Sequence, residues 1–213
     1  MNDDRKLLIQ KFQFKLINKI LIMKIFQFLL VILSFTIINS LSGQVAFNSS
    51  NKLEIKIEGT STLHDWHMTS ESGKCSASFT LDDSGKLVSL NSLKFTLQAE
   101  SLKSGKGGMD KNAYKALDTK SHPDIKAELV KATITTTDGI NYTINNTLNV
   151  TIAGTTLPVE FVTTAVKTGN TIKVKGEKEI DMTTFGVKPP KFMLGAVKTG
   201  KDITLYYEFT LNN

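Results

Sequence analysis

A single cysteine, Cys75, in 213 residues rules out an internal disulfide. The fold must therefore rest on hydrogen bonding and apolar burial alone. Cys75 lies on a strand-like run, where a buried, inert thiol is the expectation. Histidine is almost as scarce, with three in the chain. His64 and His67 stand three apart, but between strands, where positions i and i+3 face opposite ways. No Cys, Glu or third His lies close in sequence to complete a ligand set, and His122 is distant, so a metal site is not expected. No nucleophile elbow presents a serine, which leaves a hydrolase built on the neighbours His64 and Asp65 as the weaker reading. No basic run interleaved with aromatics follows residue 43, which excludes nucleic acid as a partner.

What is present at the start reads as a targeting segment. Lys15, Lys19 and Lys24 precede an apolar core, residues 25 to 38 (IFQFLLVILSFTII), and small residues follow at Ser40, Ser42 and Gly43. A basic region, a short apolar core and a small-residue exit describe a secretory signal peptide. The core is shorter than the ~20 residues a membrane-spanning helix needs, so a retained N-terminal anchor is the alternative. Residues 1–43 are thus expected to be a signal peptide with an N-terminal extension, cut after Ser42 or Gly43. Met23-Lys24 is itself an ordinary signal-peptide start. The expected location is the periplasm or the exterior. The leader holds six basic and two acidic residues, which reduces the formal charge from +6 for the whole chain to +2 for residues 44–213.

Residues 44–213 are enough for one domain with a substantial core. Leu53, Ile55 and Ile57 alternate with Glu54, Lys56 and Glu58, a half-buried strand. A polar, aromatic segment carrying Trp66 follows, and then a strand over Lys74 to Leu81 that stops at the Asp82-Asp83-Ser84-Gly85 turn. Leu93, Phe95, Leu97 and Ala99 mark another strand. Gly105, Gly107 and Gly108 lead into a helix over Met109 to Leu117, with Asp110 as its cap and Met109, Ala113, Ala116 and Leu117 as its apolar stripe. Pro123 ends any helical continuation. Further strands carry Ile125, Ala127, Leu129; Ile140, Tyr142, Ile144; Leu148, Val150, Ile152; Val159, Phe161, Thr163, Ala165; Ile172, Val174; and Ile180, Met182. The last, Ile203 to Leu211, is the cleanest alternation in the chain. Short turns between strands with one wet face predict an antiparallel all-β domain. So long an amphipathic final strand would be an aggregating edge if left open, which favours closure into a barrel of about eight strands with a short helical insertion.

A barrel of that size either fills itself or encloses a small ligand. The only tryptophan of such a domain commonly plugs one end of the core, which also lets it line a cavity. Tyr114, Phe185, Phe192 and Met193 fall in or beside the non-strand segments that would cap the barrel, and Met109 and Met193 suit an adaptable apolar lining.

Four segments in order carry a resemblance: GTSTLHDWHM (59–68), MDKNAYKALDTKSHPDIKAEL (109–129), LNVTIAGTTLPVEF (148–161) and IDMTTFGVKPPKF (180–192). Together they resemble the YceI-like family, through the short helix leading to Pro123, the hairpin with Leu148, Gly154, Thr156 and Pro158-Val159, and the Phe185-Gly186-Val187 loop. The resemblance implies an exported, lipocalin-like closed antiparallel barrel that holds an isoprenoid or other long-chain lipid taken from a membrane. It implies no catalytic residue, no metal and no cofactor. The expected apolar lining is Trp66, Phe79, Phe95, Tyr114, Leu129, Phe161, Phe185 and Phe192, with His64 and Lys191 toward a polar head. A dimer is compatible with the sequence. The competing expectations are a filled barrel whose loops bind a partner protein at the cell surface, and the hydrolase on His64 and Asp65.

Overall fold

The computed structural model describes residues 43–49 and 53–213, together with a few helical positions in the leader (14–16, 19, 21, 23, 24 and 27). Apart from Gln27 and Gly43, the expected signal-peptide core and cleavage site lie outside the described residues. The account below concerns the unit Ser42–Asn213.

The alternating runs form the strands β1 (Gln44–Ser49), β2 (Glu54–Ser61), β3 (Trp66–Ser70), β4 (Lys74–Leu81), β5 (Leu87–Gln98), β6 (Asp124–Thr136), β7 (Asn141–Ile152), β8 (Thr155–Thr168), β9 (Thr171–Asp181), β10 (Lys191–Phe192) and β11 (Val197–Asn212). Helix α1 spans Gly107–Ala116. All named strand pairs are antiparallel. From β4 the pairing runs through β5, β6, β7, β8 and β9 to β11. The free edge of β11 is then covered by two strands lying end to end, β2 along Thr199 to Glu208 and β1 at Leu211 and Asn212. β1 pairs β4 and β2 pairs β3, so the ring closes. With β1/β2 and β3/β4 each counted as one interrupted strand, this is the expected closed eight-stranded barrel. Closure leaves the 16-residue β11 hydrogen-bonded on both sides, which removes the edge that would otherwise template aggregation.

Three strands went unrecognised in the sequence pattern, β1, β3 and the two-residue β10, which falls in a stretch read as a loop. β1 presents only Val45 and Phe47 inward, and β3 presents Trp66, Met68 and Ser70. Runs this short, with a serine in the apolar phase, give a weak period-2 signal. β1 and β3 are held by their neighbours: Phe47 meets Phe79 of β4 edge to face, with ring centroids 5.6 Å apart.

The turns at Asp82–Lys86, Thr136–Asn141 and Gly169–Asn170 close one end of the barrel. The other end receives the β2–β3 turn, the insertion after β5, the β7–β8 turn and the stretch between β9 and β11. Asp138 shows how a tight end is made: its carboxylate accepts from the backbone N–H of Ile140 (2.8 Å) and Asn141 (2.7 Å) and from the Asn141 amide (2.7 Å). These bonds hold its carboxyl well below the ordinary range. Cys75 is buried, as expected, and burial pushes its thiol up to about 12.

Candidate functional site: a barrel cavity and its mouth

The strand phases that point inward carry apolar side chains, yet they do not fill the barrel. A cavity of about 140 Å³ remains, walled by Ile55, Ile57, Cys75, Phe79, Leu93, Phe95, Ile144, Phe161, Val174, Leu205 and their neighbours. A void of this size takes a group about as large as benzene. A second, larger cavity of about 380 Å³ opens at the end where the insertion lies. Ile57 and Ile203 line both, so these two side chains stand between the cavities.

The mouth is assembled from three separate stretches. The first is the β2–β3 turn. Ser61 Oγ accepts from the backbone N–H of Leu63 and His64 (both 3.2 Å) and donates to the His64 carbonyl (2.7 Å). Trp66 folds back from this turn, lays its indole on Gly59 and donates from Nε1 to the Thr60 carbonyl at 3.0 Å. Only a glycine leaves room there, because a Cβ at position 59 would overlap the indole ring.

The second stretch is the insertion between β5 and β6. Ala99 N–H donates to the Pro123 carbonyl (2.8 Å) and closes its neck. A reciprocal backbone pair between Lys103 and Thr69, both 2.8 Å, pins its first leg to β3. Asp110 was expected to cap the helix. It lies instead within the first turn, where its carboxylate accepts from Ser104 N–H (2.8 Å) and Ser104 Oγ (2.6 Å), while Lys106 at the N-cap makes no side-chain cap. The reason is the Gly107-Gly108 pair, which lets the helix begin two residues earlier than the sequence reading from Met109 allowed. The expected stripe of Met109, Ala113, Ala116 and Leu117 does front the mouth.

The third stretch follows β9. Asp181 accepts from Thr183 N–H (2.9 Å) and ion-pairs with Lys201 of β11 (2.6 Å), which fixes the short 3₁₀ turn Met182–Phe185. Hydrogen bonds from Lys201 and Thr183 hold the Asp181 carboxyl down at about 2. Met182, Val187, Pro190 and Phe192 from this stretch complete the wall.

The candidate residues from sequence distribute unevenly over this geometry. Phe79, Phe95 and Phe161 wall the barrel cavity, and Trp66, Phe192 and His64 wall the mouth. Tyr114, Leu129, Phe185 and Lys191 stand outside both walls. Tyr114 faces the insertion, where it takes a hydrogen bond from Lys103 Nζ (2.7 Å) and donates to the Leu102 carbonyl (2.7 Å). A phenol so employed fastens α1 to its own neck. Phe185 is fully buried beneath the mouth at 2 % exposure, Leu129 is half-buried beside it, and Lys191 is exposed on β10. His67 faces outward, and among the described residues no group of three or more His, Cys, Asp or Glu gathers in one place.

Sequence reasoning missed the polar element inside the barrel. Asn146 of β7, Thr163 of β8 and Tyr207 of β11 all front the barrel cavity. Asn146 Nδ2 is 3.3 Å from Thr163 Oγ1, which is 2.7 Å from the Tyr207 hydroxyl. Asn146 Oδ1 has no hydrogen-bond partner, and a buried acceptor in that state costs about 1–3 kcal/mol. Burial raises the Tyr207 phenol above its ordinary value, so it stays a neutral hydroxyl. The only charged wall residue is Lys126, exposed and with its ammonium 3.7 Å from Asp124.

Comparison with known proteins agrees with this architecture. The model of the YceI-like domain matches residues 38–211. Among solved structures, BcnA of Burkholderia cenocepacia is similar, with a TM-score of 0.58 at 16 % identity, over 74 % of this chain and 95 % of its own. A polyisoprenoid binding domain from Saccharophagus degradans, implicated in plant cell wall breakdown, has a TM-score of 0.56 at 7 % identity, over 80 % of this chain and 99 % of its own. At such identities the likeness is one of fold. No curated protein matches the chain.

Proposed function

The chain belongs to the YceI-like domain family, and on that premise we propose that it binds one long apolar or amphipathic lipid of isoprenoid type inside its barrel. It acts in this reading as an exported carrier or sequestering protein and performs no chemistry on its ligand. The observation that carries the reading is a pair of apolar cavities that adjoin at Ile57 and Ile203. Neither suits a long chain alone: the barrel void is below the ~300–1,000 Å³ of ordinary ligand sites, and the mouth lies at the lower end of that range. A chain that parts Ile57 and Ile203 would join them into a route from solvent to the barrel centre. Removing its surface from water contributes about 25 cal/mol per Å². The polyisoprenoid-binding description of the Saccharophagus degradans domain supports the same ligand class.

The roles follow from position. Phe79, Phe95 and Phe161 would pack along the inner part of the chain, and Trp66 and Phe192 along the part in the mouth. His64 stands in the mouth wall, with Lys191 exposed on β10, which pairs β11 beside the mouth. These two would meet a polar group left at the surface. Tyr114, Leu129 and Phe185 would act from behind the wall. Extraction of the purified protein with organic solvent, followed by mass spectrometry, tests the reading. One prenyl or other long-chain lipid per protein is the expected result. An empty protein that also takes up no added prenol would overturn it and favour a filled barrel whose loops bind a protein partner.

A further inference from the structure

The barrel cavity is apolar except at one place, and that place is unfinished. Asn146 is 7 % exposed, fronts the cavity, and keeps a carboxamide oxygen that none of the described residues satisfies. Its amide nitrogen is engaged with Thr163, and Thr163 with Tyr207; a half-turn of the carboxamide would let its oxygen accept from the Thr163 hydroxyl but leave its nitrogen open instead, so one edge of Asn146 faces the cavity unpaired either way. Three strands contribute one residue each, which makes the cluster a feature of the wall and not of a loop. A buried acceptor left open in a barrel that otherwise receives apolar groups is a place where a ligand atom completes the bonding.

The chemistry of that atom is constrained from both sides. Against the open oxygen it must donate a hydrogen, because a carbonyl or ether oxygen would set lone pair against lone pair. It must also be neutral. No carboxylate stands in the wall to pair an ammonium, and a phosphate or carboxylate would find only Lys126, whose ammonium is exposed and stands 3.7 Å from Asp124, so its charge would be left unpaired in an apolar enclosure. A hydroxyl meets both conditions. We propose that Asn146 is a specificity-determining residue that selects, among long apolar chains, those carrying a hydroxyl that reaches the barrel cavity. This rests on the lipid-binding reading above and deepens it: the preferred ligand is a lipid alcohol with its hydroxyl inside the barrel, and His64 and Lys191 are left to meet a second polar group where the ligand carries one at its other end.

The test is a competition between two probes that differ in one hydrogen-bond donor, geranylgeraniol and geranylgeranyl methyl ether. Both are offered together to the purified, delipidated protein, and the bound fraction is measured by mass spectrometry after gel filtration. The expected preference for the alcohol is about tenfold or more. In Asn146→Leu, which replaces the carboxamide by an apolar side chain of similar size, the ether still binds, the preference falls to within a factor of two, and the melting temperature does not drop. Equal binding of the two probes by the wild-type protein would overturn the proposal and leave the oxygen to a buried water. A preference for the ether would overturn it as well, since it would mean that the free edge is a donor. If both probes bind equally, only this assignment falls; if neither binds, the lipid-binding reading falls with it.

Discussion

The barrel cavity and the mouth are neighbours built by different means. The inner cavity is walled almost wholly by strands, so each wall residue is fixed by a register that also holds the fold. The mouth is walled partly by strand ends and partly by a helix and a loop, which local hydrogen bonds at Ser61, Asp110 and Asp181 hold in place. Truncation in the barrel should therefore cost stability, and truncation in the mouth should cost affinity.

The largest expected effect comes from the barrel. Phe79 is 1 % exposed and packs edge to face on Phe47. Phe79→Ala should lower the free energy of unfolding by about 3–5 kcal/mol, measured by urea denaturation. A loss below about 1 kcal/mol would mean that the barrel wall is not the core. Next is the junction between the two regions. A methyl group at position 59 would occupy the space of the Trp66 indole, so Gly59→Ala should displace the only tryptophan. It should cost about 1–3 kcal/mol and shift the Trp66 emission to the red.

In the mouth the balance reverses. Phe192→Ala removes a half-buried ring from a two-residue strand. Stability should change by less than about 1 kcal/mol, whereas affinity for geranylgeraniol should fall about tenfold, close to 1.4 kcal/mol. The smallest effect is the pH response of the Asp181 clamp. Its folded pKa of about 2 lies below the ordinary value of 3.8. The clamp is therefore fully present above about pH 4 and is lost as pH falls toward 2. The Met182 methyl resonance should report that transition, and Asp181→Asn should abolish it. Salt should weaken it, because the ion pair is solvent-exposed.

The same contrast explains how much was legible in the sequence. Period-2 alternation from Leu53 to Leu211 gave most strands, because a residue facing a closed interior has to be apolar whichever neighbour it meets. Closure itself followed from the length of β11. The helix stripe from Met109 to Leu117 was legible for the same reason, one face buried and one wet. The unread parts depend on contacts distant in sequence. β1 and β3 are too short to show a period and exist as strands because β4, β11 and β2 supply partners. Tyr114 looked like an aromatic lining, but its hydroxyl is used by a lysine and a carbonyl that no pattern brings together. Asn146 left a trace. Tyr142, Ile144, Leu148 and Val150 share one phase of β7, and Asn146 is the polar residue that interrupts it. A polar side chain in the apolar phase of a long strand was the available signal.

The continuity of the two cavities is tested most directly by methyl NMR during titration of the delipidated protein with geranylgeraniol. Met109 reports the mouth and Ile144 the barrel. A single chain passing from one to the other should shift both methyl groups in proportion, with saturation at one ligand per protein. A shift at Met109 that saturates while Ile144 stays unmoved would show a ligand held only at the surface, and would contradict a lipid inside the barrel.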